Sequence, residues 1–135
     1  MAKTSGLSVS TLSVDDSAGS VQPIVNDFNS FSFSTPRGVQ DVTGVDKAAV
    51  ERLLLLADFS ITLNLVFDPA ANFAHDVFKT VPSTSVARTT TITMSAKTLA
   101  NEVLYTDYPL QRAATGELTA AVPGVLANGV VPTWA

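Results

Sequence analysis

The sequence predicts a mainly β protein, an antiparallel β-sandwich or barrel with one short flanking α-helix and a long exposed loop. Three features predict this class: short segments in which apolar and polar residues alternate, turn-forming residues that separate these segments, and a single stretch with helical spacing. A chain of 135 residues is long enough for one domain with a two-layer core. We therefore expect residues 1–135 to form a single domain.

Extended segments dominate the first part of the chain. Leu7 and Val9 alternate with serines, which predicts a strand over residues 7–14. Residues 15–20 form a turn cluster, and a second extended piece follows it. Residues 30–34 read Ser-Phe-Ser-Phe-Ser, which places both phenylalanines on one face of a third strand.

The middle of the chain combines a polar segment with the strongest strand signal. Residues 35–48 are polar and rich in turn formers, and we predict that they form a long exposed loop, which is commonly functional or ordered by a partner. Residues 48–56 favour either a short helix or the lead into a strand. Residues 59–67 have period-2 alternation and predict a central core strand. The apolar residues of this alternation are Phe59, Ile61, Leu63, Leu65 and Phe67.

The last part of the chain predicts one helix and further strands. Phe73, Val77 and Val81 recur at four-residue spacing, which predicts an amphipathic helix of about two turns over residues 71–80. Turn signals follow at Pro123-Gly124 and Asn128-Gly129. The remaining strands are expected over residues 87–95, 98–108 and 117–122.

The composition points to a surface that partners cover. Only 15% of the residues are charged, against about 25% in typical soluble domains. Interface cores are depleted in charge, so much of this surface is expected to contact other proteins. The net charge is −4, and no two of the eight Lys and Arg residues are adjacent. This scattered pattern argues against a conventional nucleic-acid binder, which needs clustered cations.

Neither a membrane segment nor a targeting peptide is predicted. The most apolar stretch, residues 53–67, is too short to span a bilayer and contains Asp58 and Asn64. Residues 1–6 lack the apolar core of a signal peptide.

Catalytic and metal-binding side chains are sparse. His75 is the only histidine, and its neighbour Asp76 cannot orient it, because adjacent helix residues do not face each other. The chain has no cysteine, no nucleophile-elbow sequence and no phosphate-binding glycine loop. Asp15 and Asp16 are read as a solvated turn rather than a cation site. We therefore expect neither an enzyme nor a cofactor or metal.

The lone tryptophan, Trp134, has two readings. It is either a sugar-binding platform or an aromatic side chain that pins the C-terminus to a core or to a neighbouring subunit. Pro132 extends the chain beside it and favours pinning.

Several segments together resemble the tail tube (major tail) proteins of siphophages, and the resemblance extends over residues 7–134. The segments are STPRG (34–38), DVTG (41–44), LLLADFSITLN (54–64), FDP (67–69), AHDV (74–77), RTT (88–90), GEL (116–118) and NGVVPTW (128–134). The resemblance implies a tail tube-like β-sandwich whose hexameric rings stack into a hollow tube, with residues 35–48 reaching a neighbouring ring. It also implies a location in the virion tail after synthesis in the host bacterial cytoplasm.

The resemblance assigns roles to particular residues. The expected contacts of the long loop with other subunits are Pro36, Arg37, Asp41, Thr43, Asp46 and Lys47. The expected terminal contacts are Leu7, Val9, Pro132 and Trp134. The candidates for facing the lumen are Asp27, Glu102 and Thr106. The implied partners are copies of the chain itself, a tape measure protein and DNA inside the lumen, and tail terminator and tail-tip proteins.

Two other readings remain open. Another virion β-module, such as a head–tail connector or a decoration protein, shares the composition but would form a single ring or a capsid-bound oligomer. A small carbohydrate-binding β-sandwich would stay monomeric and would use Trp134.

Overall fold

The computed structural model describes residues 3–135, and over this range the chain forms ten β-strands, one α-helix and a short 3-10 helix. The predicted mainly β, antiparallel class is confirmed. Residues 1 and 2 of the predicted domain lie outside the described range. Across residues 3–135, no helix has both the length and the apolarity that a membrane-spanning helix needs.

The elements follow one another in chain order. The first half contains the 3-10 helix Gly6–Ser8, β1 Val9–Asp15, β2 Val21–Pro23, β3 Phe28–Ser34, β4 Arg37–Asp41, β5 Arg52–Ala57 and β6 Ser60–Val66. The second half contains α1 Ala74–Phe78, β7 Arg88–Met94, β8 Lys97–Tyr105, β9 Leu110–Arg112 and β10 Leu118–Leu126.

One antiparallel sheet carries most of the strands, in the order β2-β1-β7-β8-β10-β6-β3, with β9 beside β10. It divides into a layer of β2, β1, β7 and β8 and a layer of β10, β6 and β3. The layers meet at a corner where β8 and β10 share only three residue pairs, from Gly124↔Tyr105 to Leu126↔Val103. The core lies between the layers and includes side chains of both layers and of α1.

The predicted central strand is confirmed as β6, between β10 and β3. Its apolar residues Ile61, Leu63 and Leu65 are buried, and its polar residues Thr62 and Asn64 are half-buried on the outer face. Alternation predicts this strand well because one face of the sheet packs on the core and the other does not.

The prediction of a loop over residues 35–48 is wrong in its first part. Residues 37–41 form β4, which pairs with β5 in a separate two-stranded sheet, and the connecting loop is residues 42–51. The ambiguity over residues 48–56 resolves as strand. Neither strand alternates clearly in sequence, because neither packs on the core of its own chain.

The predicted turn at Pro123-Gly124 is also wrong, since both residues lie inside β10. The carbonyl of Pro123 accepts a hydrogen bond from Thr106 N, so its nitrogen points the same way, into the break between β8 and β9. The lack of an N–H on Pro123 therefore costs no hydrogen bond between neighbouring strands. A Cβ on Gly124 would lie 2.5 Å from Val103 Cγ1, so this glycine allows a close approach of strands.

Other boundaries shift by a few residues. The predicted strand over 98–108 ends at Tyr105, and the chain then forms the separate strand β9. The predicted helix over 71–80 is the single turn and a half of α1, with turns on both sides.

Candidate self-assembly surfaces

A two-stranded ribbon projects from the sandwich, and we call residues 37–57 the arm and the remaining described residues the body. The pairing of β3 with β6 ends at Ser34↔Ser60. The same two stretches of chain then pair again as β4 and β5. At the junction, Asp58 N donates to the Pro36 carbonyl at 2.9 Å. Beyond it, β4 and β5 contact mainly each other.

The arm exposes a cluster of aliphatic side chains. The exposed fractions of Leu53, Leu54, Leu55 and Leu56 are 55%, 61%, 44% and 90%, and that of Val39 is 52%. Monomeric soluble proteins rarely leave such a contiguous apolar cluster in water, and such clusters commonly mark interaction sites. The leucine run is therefore the strongest candidate surface of the described residues.

Hydrogen bonds fix the loop end of the arm, where β4 and β5 meet the loop of residues 42–51. The Asp41 carboxylate accepts from Thr43 N at 2.9 Å and from Thr43 Oγ1 at 2.6 Å. These bonds hold the pKa of Asp41 below its usual value. Thr43 Oγ1 also accepts from Glu51 N at 2.8 Å, which ties the two sides of the loop together.

The residues predicted for the long loop lie together on the arm or at its base. Arg37 Nε donates to the Leu55 carbonyl at 2.9 Å, and Asp41 and Thr43 bind each other, so these three brace the arm itself. Asp46 and Lys47 are exposed in the loop. The sequence reasoning assigned contacts to these polar residues and missed the leucines. The available signal was the continuous apolar run of residues 53–56, for which the sequence predicts either a short helix or the lead into a strand.

Ser8 near the start of the described residues and Ala135 at their end both lie beside the turn that joins β7 and β8. Leu7 is 95% exposed, while Val9 is half-buried and pairs with Met94. At the other end, Ala135 exchanges two backbone hydrogen bonds with Thr98, at 2.8 and 2.9 Å. The last residues thus add a short strand to an otherwise free edge of β8.

Trp134 packs against its own subunit. It forms a β-bridge with Leu99, and its ring lies 6.0 Å from that of Phe33 on the other layer. The side chain remains 46% exposed. Beside it, Pro132 is half-buried, while Val130 and Val131 are exposed by 62% and 63%.

The three lumen candidates occupy different environments. Asp27 is 4% exposed, and its Oδ2 accepts from Ala74 N at 3.0 Å, at the start of α1. Its own subunit encloses this side chain, which contradicts the expectation that it faces a lumen. Glu102 lies on the outer face of β8 and accepts a hydrogen bond from the Thr89 hydroxyl. Thr106 is exposed just beyond β8.

The side chains with catalytic chemistry have structural partners. His75 Nδ1 lies 3.2 Å from the Tyr108 hydroxyl, and its ring packs on Phe67. Asp76 binds Lys79 at 2.5 Å rather than His75. Asp16 accepts from the backbone of its own turn, chiefly at Ser20, and these bonds lower its pKa.

Comparison with known proteins rests on structure. No protein-family model and no curated protein sequence match this chain. A chain in the virion of a native gene transfer agent (GTA) particle superposes with a TM-score of 0.76 at 15% identity, over 97% of this chain and 99% of that chain. A chain in the tail of an empty GTA particle, computed with helical refinement and C6 symmetry, superposes with a TM-score of 0.75 at 16% identity, over 98% of both. This protein therefore shares the fold of chains found in the GTA virion and its tail.

Proposed function

We propose that this chain is the structural protein of a phage-like tail, of the siphophage type, and that it assembles into hexameric rings that stack as a hollow tube. The tube conducts genome DNA when the particle delivers it. The protein is made in the cytoplasm of the host bacterium and ends in the virion tail.

The observation that carries the proposal is the exposed arm. An isolated two-stranded ribbon is only marginally stable in water, and the two strands of this one expose five aliphatic side chains. Repeated copies of the same chain would cover these side chains in every subunit. The C6 symmetry of the GTA tail whose chain shares this fold supports a six-membered ring.

Stacking of such rings is heterologous, because one surface of a subunit meets a different surface of the next. A heterologous contact that does not close generates a filament. Pro36, Asp46 and Lys47, at the base and in the loop of the arm, and the termini around Leu7 are the surfaces that we assign to these contacts.

The layer of β2, β1, β7 and β8 is our candidate for the lumen wall. Six copies of this four-stranded layer would give a barrel of 24 strands. Its backbone diameter would be about 45–50 Å at a strand spacing of about 4.8 Å and a tilt near 40°. After side chains narrow it, such a lumen still admits a DNA duplex.

The outer face of this layer suits a conduit. The outward positions of β7 and β8 are Thr89, Thr91, Thr93, Thr98, Ala100, Glu102 and Leu104. Glu102 is the one charged residue of that set, and we assign it and Thr106 to the lumen. Six copies at −4 give a ring of −24. A neutral to acidic wall lets phosphates pass, whereas a basic wall would release counterions and hold them.

The proposal implies further partners. A tape measure protein would fill the lumen before DNA does, and tail terminator and tail-tip proteins would bind the two ends of the tube.

Negative-stain microscopy of the purified protein over a range of concentrations tests the proposal. We expect hollow tubes or stacked rings with a central hole. Single rings that never stack would favour a head–tail connector, and capsid-bound oligomers would favour a decoration protein. A monomer at all concentrations whose Trp134 fluorescence is quenched by a glycan would favour a carbohydrate-binding module.

A further inference from the structure

We infer that the arm is buried on both of its faces in the assembled tube, between two further copies of this chain, rather than laid against a single neighbour. The inference rests on the proposed tube and adds the number and identity of the partners that the arm contacts.

The register of the ribbon assigns its residues to two faces. Val39 pairs with Leu54, and Gln40 pairs with Leu53. Directly paired residues share a face and successive residues alternate, so Leu54 and Val39 form one face, and Leu53, Leu55 and Gln40 form the other. The register shifts between Arg37 and Val39, and Leu56 lies at this bulge and is assigned to neither face.

Both faces are apolar and exposed to a similar degree. On the first face, Leu54 and Val39 are exposed by 61% and 52%. On the second face, Leu53 and Leu55 are exposed by 55% and 44%. A single neighbour against one face would leave two aliphatic side chains of the other face in water.

The strands of the body provide an internal comparison. β6 packs one face on the core and alternates apolar with polar residues, as strands with one solvated face do. β5 instead reads Leu-Leu-Leu-Leu without alternation. Continuous apolar runs are typical of strands that are buried on both faces. Its own chain buries neither face of β5.

The second face is also shaped for close packing. Leu55 lies across Gly38, where a Cβ would sit 3.4 Å from Leu55 Cδ1. Because Gly38 has no side chain, the surface beside Leu55 is recessed, and another protein surface can approach the backbone closely there. Charged residues lie outside the leucine run, at Arg52 on one side and Asp58 on the other.

The body supplies two exposed apolar patches that could receive the two faces. The first patch is formed by Leu110 on β9 and Leu118 on β10, which are exposed by 44% and 37%. The second patch is formed by Val130 and Val131 near the C-terminus. In a heterologous assembly each donor surface meets a different acceptor surface on a copy, so two donor faces require two acceptors. Further copies of this chain carry both apolar patches, and these copies cover the two faces of the arm.

A matched pair of substitutions tests the inference. Leu53→Asp and Leu54→Asp alter neighbouring residues of equal size and similar exposure on opposite faces. Both should raise the concentration needed for tube formation by at least about tenfold, because an unpaired charge in an apolar contact costs more than one tenfold step in affinity. Ala114→Asp adds the same charge at an exposed turn of the body and should assemble like the wild type. Each variant should stay a folded monomer with unchanged thermal unfolding.

Wild-type tubes in the same experiment report on the proposed function, and the comparison of the two variants reports on the inference. Normal assembly of either Asp variant beside wild-type tubes would overturn burial on two faces while leaving the tube intact. Absence of wild-type tubes would overturn both.

Thiol labelling gives a second readout. The chain has no cysteine, so Leu53→Cys and Leu54→Cys each provide one thiol. Both thiols should react with a maleimide in the monomer and lose that reactivity in tubes. A thiol at either position that labels equally in tubes and monomers would contradict the inference. If an unrelated protein protects a thiol and no second copy of the chain lies beside it, the result contradicts burial of the arm by copies of this chain.

Discussion

Arg88 is a buried cation at the junction of β1, β7 and α1. Its side chain is 2% exposed, and its guanidinium donates to the carbonyls of Asp15 at 3.1 Å and Val77 at 2.8 Å and to Thr80 Oγ1 at 3.0 Å. Burial lowers the pKa of Arg88, and the nearby acids Asp16 and Asp15 act against that. Its direct acceptors are thus neutral oxygens that fasten the helical segment to the sheet.

Replacing Arg88 should destabilise the subunit. Arg88→Met fills similar space but leaves two carbonyls and a hydroxyl without their donor. We expect a loss of about 2–4 kcal/mol in the free energy of unfolding, from the cost of buried unsatisfied groups. Urea unfolding of the monomer measures it. Arg112→Met, at an exposed position in β9, should change stability by less than about 0.5 kcal/mol. Equal effects of the two substitutions would contradict a bracing role for Arg88.

Asp27 couples the stability of the subunit to pH. Burial raises its pKa above 3.8, and the neighbouring Asp68 raises it further, while the hydrogen bond from Ala74 N acts in the opposite direction. Between pH 3.8 and the raised value, the folded state binds more protons than the unfolded state. Stability therefore falls as the pH rises through this window, and above it the contribution of Asp27 no longer changes with pH.

Asp27→Asn should remove that fall. The amide oxygen can still accept from Ala74 N, and the side chain cannot ionise. Urea unfolding between about pH 4 and pH 7 should show a flatter profile for the variant and equal or higher stability at neutral pH. Asp16→Asn is the contrasting control. The pKa of Asp16 is lowered, so its carboxylate stabilises above pH 3.8, and its loss should destabilise at neutral pH. A steeper profile for Asp27→Asn would contradict the assignment.

At the scale of single residues, the sequence identifies the charged side chains but does not show whether they are buried or exposed. Asp27 follows Asn26 before a strand and looks like a free surface acid. Its burial depends on α1, whose first residue lies 47 positions further along the chain. Trp134 was expected either to bind a sugar or to pin the C-terminal segment, and its bridge with Leu99 and its contact with Phe33 are in keeping with pinning to its own core.

At the scale of elements, alternation separates what the sequence could predict from what it could not. β6 was predicted because one face packs on the subunit's own core. β10 was cut short in the prediction because Pro123 and Gly124 are usually turn residues, whereas here a break in the neighbouring ladder accommodates the proline. The arm was missed because its own chain buries neither face of β5, so neither alternation nor flanking turns reveal it.

The arm should be the least protected part of the sheet in the monomer. Its backbone hydrogen bonds are exposed, and no core supports them, so local opening requires little free energy. We expect amides of residues 37–57 to exchange much faster than those of Ile61, Leu63 and Leu65 in the monomer, and to slow markedly in tubes. Hydrogen exchange followed by mass spectrometry measures both states. Strong protection of the arm in the isolated monomer would show that it is ordered before assembly.

At the scale of the whole molecule, the composition predicts that partners cover much of the surface, and the fold shows a cluster of exposed leucines on the arm. A charged fraction of 15% is explained partly by the arm and partly by the hydroxyl-rich outer faces of the strands. The composition could not distinguish these two contributions, since leucine and threonine both reduce charge density. The structure separates them, because the exposed leucines lie on the arm and the threonine hydroxyls lie on the outer faces of β7 and β8.

The charge of the wall leads to the last prediction. Glu102→Lys replaces the one charge among the outward residues of β7 and β8 and changes a ring of six from −24 to −12. Because Glu102 is held by Thr89 and faces away from the core, the subunit should fold and assemble normally. Tubes of the variant should sediment with duplex DNA at low salt and release it as salt increases, since binding through phosphates releases counterions. Glu117→Lys makes the same change of net charge in the turn before β10, and its tubes should retain little DNA. Equal retention of DNA by both variants would indicate a general charge effect. Failure of Glu102→Lys to assemble would assign Glu102 to a contact between subunits. Either result contradicts a lumen position for this side chain.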